Sequence, residues 1–161
     1  MKLIFTLVLF SLLCTGYSQT ARLYNPEADV AAAISHGLIQ AKAENKQLFL
    51  QIGGNWCPWC IKFHNFCSED KEISALMSKS YIVLKVNYSK ENRNLPELKK
   101  LEFPQRFGFP VFVILNSDGK RIHTQSSGIL EDGTGYSKKK VLDFLTQWTT
   151  AALNPELYIT K

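Results

Sequence analysis

Two periods of apolar and polar residues run along the chain, and each stretch points to its own element. Val30, Ile34, Leu38 and Ala41 recur at spacings of four, four and three, one face of an amphipathic helix. Asn25, Pro26 and Glu27 precede it as a cap, a first-turn proline and an acid at the positive helix end. That helix is expected to end near Asn45. Leu48-Phe49-Leu50-Gln51-Ile52 is a mostly apolar run closing on Gly53-Gly54, as a strand buried on both faces does. A helix is expected from Cys57 to about Phe66, and Ser68-Glu69-Asp70 can open a second piece reaching Met77. Residues 81–86 follow as a β-branched strand.

Residues 88–108 carry the weakest pattern: polar first, then a short helix from Leu95 to Leu101, stopped before Pro104. Residues 111–115 form the third expected strand. Ser117-Asp118-Gly119-Lys120 is a turn signal, so residues 121–125 should return antiparallel. Residues 128–135 read as a loop. Ser137 can then cap a last helix in which Val141, Leu145 and Trp148 share a face. Alternating helices and strands imply parallel strands joined by right-handed crossovers, with one antiparallel hairpin at the end. The expected fold class is α/β, a three-layer sandwich.

Composition narrows this to one globular domain: 161 residues, 45% hydrophobic and 20% charged, with no low-complexity tract. The start is different. Lys2 precedes an apolar or small-residue run from Leu3 to Leu13, followed by Thr15, Gly16, Tyr17 and Ser18. These are the parts of a secretory signal peptide, and the run falls short of the ~20 apolar residues that span a bilayer. Residues 1–18 are therefore expected to be cleaved, with a single domain over 19–161, periplasmic or secreted and not membrane-spanning. An uncleaved anchor and a lipid-modified Cys14 are the alternatives; the bulky Leu13 argues against the second.

Cleavage removes Lys2 and lowers the formal charge of +5 by one. The basic excess is scattered, and Lys138-Lys139-Lys140 reads as a solvated helix face. No nucleic-acid signature is present. Cleavage also removes Cys14 and leaves Cys57, Cys60 and Cys67, too few for a disulfide-stapled scaffold.

Cys57-Pro58-Trp59-Cys60 is the candidate chemistry. A sulfur at the start of a helix meets unpaired N–H groups and the positive end of the dipole, which favour thiolate. Cys60 follows by nearly one turn, so one thiol can attack and the other resolve. Pro58 stiffens the first turn. Zinc is the competing use, since Cys57, Cys60, His64 and Cys67 lie on one helical stripe. Ten helical residues rise roughly 15 Å, whereas one zinc holds its ligands at about 2.0–2.3 Å. Cys57 and Cys67 cannot share an ion on an unbroken helix, and no metal or other cofactor is expected.

Trp56-Cys57-Pro58-Trp59-Cys60 after a buried strand, with Gly108-Phe109-Pro110-Val111 opening a later one, resembles the thioredoxin family. Gln51-Ile52-Gly53-Gly54-Asn55 and Lys85-Val86-Asn87-Tyr88 extend the likeness to exported bacterial members, similar to the periplasmic C-terminal domain of DsbD. The resemblance covers about residues 27–150 and implies a thioredoxin fold with a central mixed sheet flanked by helices. It implies that Cys57 is the exposed nucleophile, Cys60 the buried partner and Pro110 a cis-proline beside them. Phe109 then takes the position whose backbone pairs with an extended substrate, though an aromatic there can equally be packing. Trp59 is expected as an exposed contact for partners and Trp56 as packing.

One departure stands out. The family commonly has a buried Asp where this chain has Gln51, and Gln cannot take a proton at neutral pH. Glu44 and Glu69 are candidate substitutes. His64 reads as a bystander, and Cys67 as a buried thiol or a second redox group. Three functions remain open: an exported thiol–disulfide oxidoreductase, a thioredoxin-fold binding module or chaperone with a structural disulfide, and a metal carrier. Under the first, the partners are protein thiols or disulfides and an upstream redox protein.

Overall fold

The computed structural model describes residues 22–159; the expected leader over 1–18, with Cys14, lies outside the described residues. The strands β1 (Gln47–Gly53), β2 (Tyr81–Asn87), β3 (Val111–Leu115) and β4 (Arg121–Ser126) form one sheet in the order β2-β1-β3-β4. Around it lie α1 (Val30–Ala43), α2 (Pro58–Glu69), α3 (Lys71–Ser80), α4 (Leu95–Lys100) and α5 (Lys138–Gln147). The described chain ends in the short α6 (Glu156–Ile159).

Alternation along the strands sorts the core into two halves. Leu48, Leu50 and Ile52 face Val30 of α1 and Leu98 of α4. Phe49, on the other face, packs with Phe63 of α2, Ile73 and Met77 of α3, and Phe144 and Leu145 of α5. The sheet is thus the middle of three layers, a mixed-sheet thioredoxin fold as the family resemblance implied.

The parallel expectation holds for β1 with β2 but fails for β3, which runs antiparallel to β1, as β4 does to β3. Residues 88–110 join β2 to β3 without crossing back along the sheet, so β3 starts at the end where β2 stops. Pro110 thereby arrives beside the end of β1.

Several boundaries also shift. Asn25 is not the cap of α1: its side chain accepts from Glu27 N–H at 2.9 Å in a separate turn. Asp29 caps the helix instead, accepting from Ala32 N–H at 3.0 Å. Cys57 is the cap of α2 rather than its first residue, and the helix runs on to Glu69. Residues 128–135 are no plain loop, since β5 (Glu131–Asp132) lies within them and pairs with β6 (Gly135–Tyr136), which begins there. Ser137 does cap α5, accepting from Lys140 N–H at 3.5 Å.

Phe49 sits at the centre, with the rings of Phe63, Tyr81, Phe112 and Phe144 within 6.5 Å of its own. Phe49→Ala is expected to cost about 3–5 kcal/mol, read as a lower urea midpoint in equilibrium unfolding.

Candidate active site

The site lies where β1 ends and α2 begins. The Gly53 and Gly54 positions after Ile52 let three side chains approach the backbone closely. A Cβ on Gly53 would stand 2.4 Å from Cys60 Sγ and 3.1 Å from Tyr24 Oη; one on Gly54 would meet the Trp56 indole at 2.3 Å. Cys57 caps α2 in an extended conformation, and Pro58 takes the first helical position.

Cys57 and Cys60 are joined as a disulfide, with Cα atoms 5.3 Å apart. Cys57 Sγ also accepts the Cys60 N–H at 3.2 Å. That N–H, which also donates to Cys57 O at 3.1 Å, is a first-turn amide placed to hold negative charge on sulfur when the bond is broken. In this oxidised form Cys57 is only 4% exposed and Cys60 is fully buried. The expectation of an openly exposed Cys57 is corrected: Tyr24, Trp59 and Phe109 pack around the pair.

Pro110 is buried at the start of β3, and the Phe109–Pro110 peptide is cis. The β1–β3 register sets Val111 opposite Ile52, which brings this bend to the disulfide's end of the sheet. Phe109 is half-buried, its ring 5.4 Å from Trp56 and 4.7 Å from Tyr88.

The two tryptophans exchange their expected exposures. Trp56 is 55% exposed, anchored by its indole N–H donating to Tyr88 O at 2.6 Å. Trp59 is half-buried, edge-on to Tyr136 at 5.4 Å, with Lys62 Nζ 4.5 Å from its ring. The second aromatic of the motif turns inward because the two-residue β6 brings Tyr136 over the first turn of α2. Tyr136 Oη donates to Trp59 O at 3.2 Å.

Behind Cys60 lies a polar network in place of a carboxylate. Gln51 Nε2 donates to Cys60 O at 2.9 Å and to Tyr24 Oη at 2.7 Å, while Lys85 Nζ donates to Gln51 Oε1 at 2.5 Å. Strand geometry assembles it: Gln51 shares the α2-facing side with Phe49, and the parallel register sets Lys85 opposite Gln51. Burial lowers the Lys85 ammonium to about 8, so part of it is neutral near physiological pH. Burial raises the Tyr24 hydroxyl, which stays protonated. Asn55 fixes the Tyr24 backbone from both sides, accepting its N–H at 3.0 Å and donating to its carbonyl at 2.7 Å.

Neither proposed acid stands here. Glu44 follows α1, before β1, and its carboxylate contacts Lys46 and Gln40. Glu69 is exposed at the last position of α2, nine residues from Cys60 at about 1.5 Å rise each. Lys85 could have been found as the lone charge in a strand of apolar residues; no periodic pattern marks Tyr24. Helix α2 is unbroken between Pro58 and Glu69, so Cys57 and Cys67 sit at opposite ends. Among the described residues no group of three or more His, Cys, Asp and Glu could hold a metal ion. His64 is half-buried, its imidazole lowered by burial and then by Lys85. No described helix is long and apolar enough to cross a membrane.

A disulfide across two intervening residues at a helix start, facing a cis-proline at the start of the neighbouring strand, defines the thioredoxin-fold class. The chain belongs to the thioredoxin-like domain family, whose sequence model matches residues 34–134. It is similar to a disulphide isomerase from Xylella fastidiosa Temecula1, at 28% identity and a TM-score of 0.69. That match covers 78% of this chain and 95% of the other. The oxidised C-terminal domain of DsbD from Neisseria meningitidis (18% identity, TM-score 0.52; 74% and 96% covered) shares the fold. So does a thioredoxin from Thermus thermophilus (20% identity, TM-score 0.51; 70% and 81% covered). No curated protein sequence matches the chain.

Two outcomes test this geometry. Gln51→Leu keeps the volume but leaves Tyr24 Oη, Lys85 Nζ and Cys60 O without their partner, at about 1–3 kcal/mol for each buried group left unpaired. A lower urea midpoint of the oxidised protein is expected. Burial pushes the Cys67 thiol up to about 12, so at pH 8 it stays protonated as well as enclosed. Iodoacetamide at pH 8 should modify Cys67 in urea and spare it in the native protein, as mass spectrometry would record.

Proposed function

We propose that this protein is an exported thiol–disulfide oxidoreductase, exchanging the Cys57–Cys60 couple with cysteines of other proteins. The carrying observation is the Cys57–Cys60 disulfide at the cap of α2, at the end of the sheet where cis Pro110 opens β3. The 28% identity to a disulphide isomerase supports the same chemistry. The basic start and short apolar run over residues 1–18 support export to the periplasm or beyond.

In the reduced protein the Cys57 thiolate attacks one sulfur of a partner disulfide. A Cys57–partner mixed disulfide forms, and the partner's other sulfur leaves as a thiolate and takes a proton. Cys60 then gives up its proton and attacks Cys57 Sγ. This closes the Cys57–Cys60 bond and releases the second partner thiol. Two electrons have passed to the partner, with one proton from Cys60 and one from water, to which Cys57 lost its own on forming the thiolate. An upstream dithiol protein reverses these steps to reduce the pair again. The two thiols supply the whole reaction without an external cofactor. Phe109 and Pro110 supply an edge for an extended substrate, and Trp59 and Trp56 supply apolar contact around the sulfurs.

Proton handling behind Cys60 differs from the carboxylate scheme. Gln51 orients the network but carries no proton of its own. The Lys85 amine, lowered to about 8, is the titratable base within it. The direction of electron flow follows from the reduction potential of the couple, measurable against glutathione.

A binding module with a purely structural disulfide is the second reading. Gln51 in place of an acid and the 4% exposure of Cys57 favour it. Reduction of insulin disulfides separates the two. The wild type should catalyse it, Cys57→Ser should abolish it, and Cys60→Ser should abolish turnover while accumulating a mixed disulfide with substrate. Equal activity of all three proteins would rule out the oxidoreductase.

A further inference from the structure

A second concavity opens on the other side of Trp56 from the packed disulfide. It is a groove of about 730 Å³ between the N-terminal segment at 22–26 and the loop after β2. Trp56 and Tyr88 provide its apolar wall, and Arg22, Lys90 and Arg93 provide its charge, against one carboxylate, Glu91. All three cations are exposed, and among the described residues none of them is held in an ion pair.

The groove is built before any ligand arrives. Asn92 Nδ2 donates to Pro26 O at 2.9 Å, tying the loop to the N-terminal segment. Within the loop, Ser89 N–H donates to Asn92 O at 2.9 Å and Asn94 Nδ2 to Asn87 O at 2.7 Å. Asn87 also lines the groove, and its fully used amide nitrogen leaves Oδ1 buried with no partner.

Resting on the oxidoreductase reading, we infer that this groove docks an acidic, extended segment of the redox partner, adjoining its reactive cysteine. Trp56 connects the two places: it precedes Cys57 in the chain and forms the groove wall. A partner segment leaving the disulfide therefore enters the groove within a few residues at about 3.3 Å each. Its carboxylates meet Arg22, Lys90 and Arg93, and its apolar atoms lie on Trp56 and Tyr88. The chain's own residues 1–21 are a poor occupant, for they contain Lys2 and no Asp or Glu.

Three probes test it: an acidic and a basic peptide disulfide of equal length, and neutral bis(2-hydroxyethyl) disulfide. Oxidation of the reduced protein is followed by tryptophan fluorescence, and each peptide rate is divided by that protein's rate with the neutral disulfide. Wild type should prefer the acidic peptide by on the order of tenfold at low salt, with the preference shrinking as salt rises. The combined variant Arg22→Glu, Lys90→Glu, Arg93→Glu should reverse the preference. No discrimination by wild type, or an unchanged preference in the variant, would overturn the groove.

A cysteine-free acidic peptide, read by fluorescence anisotropy, reports docking without exchange. If it binds wild type and not the variant while the neutral disulfide is never reduced, the groove stands and the oxidoreductase reading falls. Binding to phosphatidylglycerol vesicles in place of that peptide would assign the groove to anionic lipid and overturn the proposal.

Discussion

Burial of β1 along its whole length is the constraint on which the other elements depend. A strand with no exposed residue must be paired on both edges and covered on both faces, because its amides and side chains have no water to turn to. Strands β2 and β3 supply the edges. The aliphatic side takes α1 and α4, and the aromatic side takes α2, α3 and α5. Gln51 is a fully buried polar residue in the middle of this strand, and its burial has to be met by hydrogen bonds. Its amide is accordingly fully engaged with Cys60 O, Tyr24 Oη and Lys85 Nζ.

The same strand links stability to chemistry. Register places Gln51 under the first turn of α2, so the group that satisfies a buried amide also contacts the resolving cysteine. Absence of a Cβ at Gly53 makes room for Cys60 Sγ and Tyr24 Oη at one point. A larger residue there would push the sulfur away from the strand end. Core packing and the reactivity of the couple therefore cannot be tuned independently in this chain.

Partner contact follows from the way the backbone returns to the sheet. The connection between β2 and β3 begins and ends at the same end of the sheet and deposits Phe109 and cis Pro110 beside the end of β1. Its first residues form the wall that carries Tyr88, Lys90 and Arg93. One connection thus frames both the sulfur pair and the neighbouring charged groove, while Trp56 stands between them on an exposed edge.

Much of this was legible in one dimension because it rests on local periodicity. The apolar face Val30, Ile34, Leu38 and Ala41, the buried run 48–52, the hairpin turn at 117–120 and the Ser137 cap depend on near neighbours. The cysteine spacing belongs with them, since a helix start defines what two thiols three residues apart can do. Other features depend on residues far apart in sequence. Tyr24 reaches Gln51 across 27 positions, Lys85 across 34, and Trp56 meets Tyr88 across 32. Which tryptophan faces solvent was settled by Tyr136, a residue no helical or strand period connects to the motif. The direction of β3 likewise depended on which end of the sheet the connection from β2 returns to, a choice no local period marks. The sequence alone determined the elements and the reactive pair, since those are local consequences of side-chain order. Only the tertiary structure decided what surrounds the pair, because packing, and not spacing, chooses its neighbours.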